Sequence, residues 1–280
     1  MAALSQPRAP RASRGENELA APGAAVHIRT MPRVAPSPLA PAIDVFVDGF
    51  CFTRSFTHPY VPIKIGPVRL LRDEPRQTKA PPRRDEWVAA DTAPTTVDQL
   101  ARQHSPGRFC LSVIIGDHAP SFEFIAAYKA LNYRYASSEP VMVHSLRRIP
   151  RITCPATIHR VTTQAEADRV NQAAGQRQIL PEHLERGSRL RQYFAEIDGE
   201  IVGMVRSIRC PQGNWCSNMF VQPKHRRKRI GSALLASMLR DDRAQGAKLA
   251  VLTASHAGSK LYASIGYEQV GTLLLFTPKR

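Results

Sequence analysis

The amino-acid sequence predicts an α+β (mixed α/β) fold. Apolar stretches of strand length alternate with longer segments whose apolar residues recur at helical spacing, an order typical of such folds. Asp198-Gly199 separates two strand-like stretches, and Asp-Gly is a strong signal for a two-residue hairpin turn. We therefore expect a sheet that contains both parallel and antiparallel pairs.

Composition limits the classes of function. The chain has 280 residues, a net charge of +16 and a pI near 10.3. The charge favours anionic ligands such as nucleic acid, acidic proteins or a phosphorylated cofactor, but a basic tail in an arginine-rich proteome accounts for it equally well. The five cysteines include no Cys-x-x-Cys pair, so neither a zinc site nor a disulfide framework is indicated. Without a membrane-length apolar run or a signal-peptide core, we expect a cytoplasmic protein.

The chain divides into four segments. Residues 1–40 are rich in Ala, Pro, Arg and Ser, and we expect a disordered basic tail because few large apolar side chains are present to offset the entropy of ordering. Residues 41–148 form a first lobe, residues 149–156 a linker with prolines, and residues 157–280 a second lobe that is denser in structural signals.

Within the first lobe, the Val and Phe residues of 43–52 predict a strand. Three further strands and two helices are predicted there. The strands cover 68–71, 111–115 and 133–146, and the helices cover 95–101 and 122–131.

Within the second lobe, Thr163 and Glu166 have the spacing of a helix capping box. The remaining pattern alternates strands and helices. Strands are predicted over 157–161, 192–197, 200–205, 215–221, 249–253 and 267–276, and helices over 164–170, 230–243 and 259–264.

A basic turn follows the strand at 215–221. It contains Arg226-Arg-Lys-Arg229, and Gly231 opens the next helix. The N-terminus of a helix leaves N–H groups unpaired, and its dipole favours negative charge there. Residue chemistry alone therefore allows a phosphate or pyrophosphate pocket or, equally, a solvated basic loop.

The same stretch resembles the coenzyme-A-binding motif of the GCN5-related N-acetyltransferases (GNATs), Val-x-Pro followed by Arg/Gln-x-x-Gly-x-Gly/Ala. Val221-Gln-Pro223 precedes Arg226 and Gly231 at matching spacing, with Arg229 where the family has its first glycine. The resemblance implies a GNAT-like acyl-CoA N-acyltransferase fold, with a mixed central sheet that carries helices on both faces, preceded by a partial GNAT-like lobe. It implies acetyl-CoA as co-substrate and no metal. It also implies that the pantetheine arm enters between two splayed parallel strands, 215–221 and 249–253.

The resemblance also implies which residues contact the cofactor. Backbone groups of Phe220 and Val221 would pair with the pantetheine amides, and the amides of 226–232 would hold the pyrophosphate. The cofactor-binding candidates are Met219, Phe220, Val221, Arg226, Arg227, Lys228, Arg229, Ile230, Gly231, Ser232 and Tyr262.

Leu261-Tyr-Ala-Ser-Ile-Gly-Tyr267 resembles the closing motif of the same family, whose tyrosine donates a proton to the departing CoA thiolate. This implies Tyr262 as general acid; a half-buried core tyrosine is the structural alternative. The candidates for a base are His256, Glu196 and Glu200, and His256 is preferred because it follows the second central strand. Ordered water is the alternative to a dedicated base.

An internal duplication is also predicted. Tyr128-Lys-Ala-Leu-Asn-Tyr133 aligns with Tyr262-Ala-Ser-Ile-Gly-Tyr267, and a His-Ala pair precedes each, at 118–119 and 256–257. The first copy has no basic glycine turn, and Asn132 replaces Gly266. We therefore expect a degenerate first lobe, an arrangement known among tandem acetyltransferases.

These observations predict a transferase that moves an acetyl group from acetyl-CoA to an amine by direct attack. The acceptor is a small molecule or a protein; membrane and nucleic-acid partners are not expected, and a homodimer is compatible with the sequence. The alternative is a non-catalytic GNAT-like module that binds CoA or nucleic acid through its basic turn.

Overall fold

The computed structural model describes residues 38–77, 81–116 and 121–279. The described part is one compact unit with a single mixed sheet and helices on both faces, as the fold-class prediction requires. The helices are α1 (Leu39–Arg54), α2 (Pro94–His104), α3 (Ser121–Ala130), α4 (Gln164–Ala174), α5 (Ile230–Ala244) and α6 (His256–Ile265). The strands are β1 (Tyr60–Ile65), β2 (Val68–Asp73), β3 (Asp85–Ala90), β4 (Phe109–Gly116), β5 (Tyr133–His144), β6 (Thr157–Arg160), β7 (Leu190–Ile197), β8 (Glu200–Cys210), β9 (Gly213–Val221), β10 (Ala250–Thr253) and β11 (Glu268–Pro278).

The two halves of the chain exchange strands. The sheet order is β1-β2-β3-β4-β11-β5-β10-β9-β8-β7-β6. The last strand of the chain, β11, lies between β4 and β5 of the first half, while β5 lies between β11 and β10 of the second half; all these pairs are antiparallel. Each half therefore completes its sheet with a strand from the other half.

Both faces of the sheet are covered. Helices α1 and α4 pack on one face, where Phe46 and Trp215 belong to one apolar cluster. Helices α5 and α6 pack on the opposite face around Leu234 and Cys216. The β9–β10 region of the sheet therefore separates an α1 face from an α5 face. None of the helices in the described ranges is long and apolar enough to span a membrane.

Residues 43–52 belong to helix α1, so the predicted strand is wrong. Its Val and Phe residues favour strands locally, but tertiary burial decides the outcome. Ala42, Val45, Phe46 and Gly49 have helical spacing and are buried against the sheet. A Cβ at Gly49 would lie 2.3 Å from Cγ of Trp215, so glycine at this position permits the close approach of helix and sheet.

Most other elements agree with the prediction. Thr163 and Glu166 form the capping box of α4. Asp198 and Gly199 have φ angles of 49° and 81° and close the β7–β8 hairpin. Strands β1 and β3 were not predicted. Residues 1–37 of the predicted tail lie outside the described residues, and α1 begins at Leu39, within the last residues of that prediction. The first His-Ala pair, at 118–119, also lies outside the described residues.

Candidate functional site

The site begins where the two central parallel strands separate. β9 and β10 pair only at Asn214–Ala250 and Trp215–Val251, although β9 continues to Val221. A gap therefore opens beside the second half of β9. One of the backbone groups predicted to face a ligand there is already used, because Arg226 Nε donates to the Val221 carbonyl oxygen at 3.0 Å.

The basic turn presents a run of unpaired amides. The Arg226 N–H donates to the Pro223 carbonyl oxygen (3.2 Å), and the Ala233 N–H donates to that of Arg229 (3.0 Å). Between these two bonds, the backbone N–H groups of residues 227–232 have no acceptor among the described residues. No side chain caps the helix at Arg229. Such a row of free N–H groups at a helix N-terminus is suited to bind an anion.

Two residues of this turn are in the left-handed conformation. Arg227 has φ 63° and Arg229 has φ 61°. Arg229 occupies the motif position at which the family has glycine, and the positive φ explains that preference, since only glycine adopts it without steric cost. Arg229 therefore adopts a backbone conformation that favours glycine, at a steric cost, and α5 begins at the next residue.

The turn, the gap and α6 line one cavity of about 710 Å³. Gly231 lies at their meeting point, where a Cβ would be 2.9 Å from Cε of Met219 and 3.2 Å from Cδ2 of Leu261. Lys260 adds a further cation, and none of the described lining residues is acidic. Of the predicted residues, the cavity brings together Met219, Phe220, Val221, Arg226, Arg227, Arg229, Ile230, Gly231, Ser232 and Tyr262.

Tyr262 reaches this cavity from α6. Its ring packs against Tyr267 with the centroids 5.8 Å apart. Burial, followed by the nearby Cys216, raises the pKa of Tyr262 well above its ordinary value. The hydroxyl has no hydrogen-bond partner among the described residues. The phenol is therefore a protonated donor that remains free to bond a ligand.

The remaining predicted residues, which are Lys228 and the three candidate bases, do not line the cavity. His256 is exposed, and its Nε2 lies 3.2 Å from Oγ of Ser138. The two hairpin carboxylates are engaged in ion pairs, Glu196 with Arg169 and Glu200 with Lys224. No cluster of three potential metal-ligating side chains is found in the described ranges.

A polar group on the α1 face was missed by sequence reasoning. Asn218 has φ 54° at the point where the β8–β9 register shifts, and its side-chain amide donates to Gln178 Oε1. Arg206 donates through Nε to Oγ of Ser217 at 3.0 Å. Two sequence signals could have revealed it: an arginine inside the apolar strand β8, and an asparagine, which tolerates left-handed backbone, inside β9.

Comparisons with known proteins agree with this architecture. Residues 189–269 match the family model described as "Acetyltransferase (GNAT) domain". A GCN5-related N-acetyltransferase from Kribbella flavida is similar over 89% of this chain and 97% of that one, with a TM-score of 0.61 and 16% identity. One from Sphaerobacter thermophilus covers 75% of this chain and 76% of its own, with a TM-score of 0.53 and 16% identity.

A third structure, a GNAT-family putative acetyltransferase from Novosphingobium aromaticivorans, covers 85% of this chain and 99% of its own, with a TM-score of 0.50 and 17% identity. No curated protein sequence matches the chain. At these identities the structural matches establish the fold, and the family model adds a sequence similarity over residues 189–269. The chain therefore has the fold of the GCN5-related N-acetyltransferases, and residues 189–269 are similar to the acetyltransferase (GNAT) domain family.

Proposed function

We propose that the protein is an N-acetyltransferase that uses acetyl-CoA as acetyl donor and an amine as acceptor. One observation carries the proposal. The free amides of residues 227–232 belong to residues that, apart from Lys228, line the same cavity as Tyr262. In one cavity, the free amides can bind the pyrophosphate of a coenzyme A thioester, and the protonated phenol can donate to its sulfur.

The residues present fit the pyrophosphate of acetyl-CoA. Free amides can bind its oxygens, and the cations Arg226, Arg227, Arg229 and Lys260 offset its charge. Beyond Trp215, the gap between β9 and β10 leaves room for the pantetheine arm, with the remaining unpaired strand groups as partners. The bound thioester supplies an activated acetyl group.

The chemistry assigned to this chain is acid catalysis. The amine lone pair attacks the thioester carbonyl carbon, the C–S bond breaks, and the sulfur takes the proton of the Tyr262 hydroxyl. That hydroxyl is protonated at neutral pH, because the ordinary pKa of tyrosine is about 10 and burial raises the pKa of Tyr262 further. The amine releases its own proton to water, since no carboxylate lines the described cavity, and water returns a proton to the Tyr262 oxygen after the thiol forms.

We also propose that the first half of the chain is a duplicated lobe without a cofactor turn. Tyr128–Tyr133 and Tyr262–Tyr267 have the same centroid separation of 5.8 Å. Asn132 (φ 65°) and Gly266 (φ 103°) share the left-handed conformation between the members of each pair. The exchange of β5 and β11 is also reciprocal, because each half of the chain receives one strand from the other half.

A matched pair of thioesters tests the proposed function. Acetyl-CoA and S-acetyl-pantetheine share the reactive group, but only the first carries the pyrophosphate. We expect acetyl-CoA to raise the melting temperature, with a stabilisation of about 2.7 kcal/mol at 100 times its Kd, and to release thiol when a panel of amines is added. S-acetyl-pantetheine should bind at least tenfold more weakly, since it forgoes charge-assisted bonds of about 1.5–3 kcal/mol each.

The opposite results favour the non-catalytic alternative. A protein that ignores acetyl-CoA, yet binds RNA with an affinity that falls steeply with salt, would contradict the proposed activity. Equal affinity for the two thioesters would contradict the role of the basic turn.

A further inference from the structure

Arg206 is a half-buried cation without a carboxylate partner among the described residues. It lies on β8, opposite Ser217 of β9. Burial lowers the pKa of Arg206 to about 10, so the guanidinium is still charged at neutral pH. None of the ion pairs among the described residues includes it. A charge that has lost part of its hydration is normally paired, because desolvation without a counter-charge is costly.

The hydrogen bonds of Arg206 leave most of its donors free. Nε donates to Oγ of Ser217 (3.0 Å), and one terminal nitrogen, Nη1, donates to the carbonyl oxygen of Gln178 (3.3 Å). The Phe56 ring lies 5.5 Å from the guanidinium carbon. A guanidinium has five N–H donors in a planar fork, so three have no protein acceptor in the described structure. A carboxylate can bind such a fork through both oxygens.

The surroundings hold Arg206 in place. Asn171 Oδ1 accepts from the backbone N–H of Gln178 (2.6 Å) and of Ile179 (3.1 Å). The Gln178 side chain is buried and accepts from Asn218. The loop that supplies the carbonyl to Arg206 is therefore anchored both to the end of α4 and to the bulge of β9. A fixed cation of this kind is suited to recognition.

Arg206 is connected to the gap through Ser217 of β9, to which its Nε donates. Ser217 is two residues beyond Trp215, the last β9 residue paired with β10. Because side chains alternate along a strand, Ser217 shares the face of Trp215, which contacts α1. Tyr262 packs with the cluster on the opposite face. An amine entering from the α1 face would thus meet the thioester across from the proton donor.

We infer that the acceptor is an amine that also bears a carboxylate, of the amino-acid class, and that Arg206 binds this carboxylate. The inference rests on the proposed function and names its substrate class. Neighbouring strands are about 4.8 Å apart, so the amine and carboxylate must be separated by only a few bonds. The net charge of +16 disfavours polycationic acceptors such as polyamines.

Pairs of α-amino acids and their carboxamides test the inference, because each pair shares its amine and side chain and differs in the carboxylate. We expect wild-type kcat/KM to be higher for the acids. Arg206→Gln should lower kcat/KM for the acids about 10- to 100-fold, the range of a charged hydrogen bond, and for the carboxamides less than about threefold. The difference in amine reactivity within a pair cancels when the two enzymes are compared.

Arg209→Gln is the matched control, since it removes the same charge from the same strand at an exposed position. It should leave the acid-to-carboxamide ratio unchanged. Binding of acetyl-CoA to Arg206→Gln at the wild-type Kd verifies that the variant is folded. Arg206→Lys, which keeps the charge and loses the fork, should fall between wild type and Arg206→Gln.

The outcomes separate the two proposals. Acetylation of amines with no preference for a carboxylate, or an acid-to-carboxamide ratio that Arg206→Gln and Arg206→Lys leave unchanged, overturns the inference while the acetyltransferase activity stands. Binding of acetyl-CoA without turnover of any amine overturns the proposed function, and the inference with it.

Discussion

Two substitutions at Arg229 separate backbone strain from side-chain charge. Both Arg229→Gly and Arg229→Ala remove the guanidinium, but only glycine relieves the φ of 61° at this position. The left-handed conformation costs an L-residue about 1–2 kcal/mol, and glycine loses about 0.5–1 kcal/mol of this through backbone entropy. Arg229 is also the N-cap of α5, where glycine is favoured over alanine.

We therefore expect Arg229→Gly to be about 1 kcal/mol more stable than Arg229→Ala, a difference of about 2–4 °C in melting temperature. Chemical denaturation of both variants measures it. Equal stability of the two variants would refute the strain argument. The affinity for acetyl-CoA adds a second comparison. If both variants bind acetyl-CoA equally more weakly than wild type, the guanidinium contributes to binding. If only the glycine variant binds more tightly, the absence of a side chain lets the backbone approach the cofactor more closely.

Two further predictions concern stability. Gly49→Ala places a Cβ 2.3 Å from Cγ of Trp215, so overpacking of about 1–3 kcal/mol should exceed the helix-propensity gain of about 1 kcal/mol; a urea midpoint equal to or above that of wild type would contradict the packing of α1. Burial opposes ionisation of Asp73, but hydrogen bonds from Arg83 and Arg76 outweigh it and lower its pKa to about 2, from 3.8. Because the folded-state pKa is depressed, this stabilisation of about 2 kcal/mol is full above pH 3.8 and is lost as the pH falls towards 2. Asp73→Asn should therefore flatten the acid limb of stability between pH 5 and 2, and an unchanged slope would argue against the assignment.

The basic turn could be located from the sequence because its signals are local. Gly231, the cations and the strand before them are contiguous, and the chemistry of a helix N-terminus follows from them. The capping box at Thr163 and the Asp198-Gly199 turn are local signals too, and the structure confirms both. The left-handed backbone of Arg229 is consistent with the glycine that the motif has there.

What the sequence did not reveal depends on contacts between distant residues. Helix α1 has strand-forming residues, and its helical form is stabilised by packing on Trp215. The exchange of β5 and β11 follows from pairing across the whole chain, which no local pattern encodes. Arg206 lies just after the predicted strand 200–205, and only the fold shows that it bonds to Ser217 of β9 and has no carboxylate partner among the described residues.

Tyr262→Phe tests the central claim most directly, because it removes one oxygen and leaves the ring packing in place. The measurement is kcat with a turned-over amine, together with the Kd for acetyl-CoA from calorimetry on the same preparation. A general acid contributes about 10²- to 10⁴-fold, so we predict a fall in kcat of at least about 100-fold with a Kd within about threefold of wild type. An unchanged kcat, or a loss confined to acetyl-CoA affinity, would contradict the role of Tyr262 as proton donor.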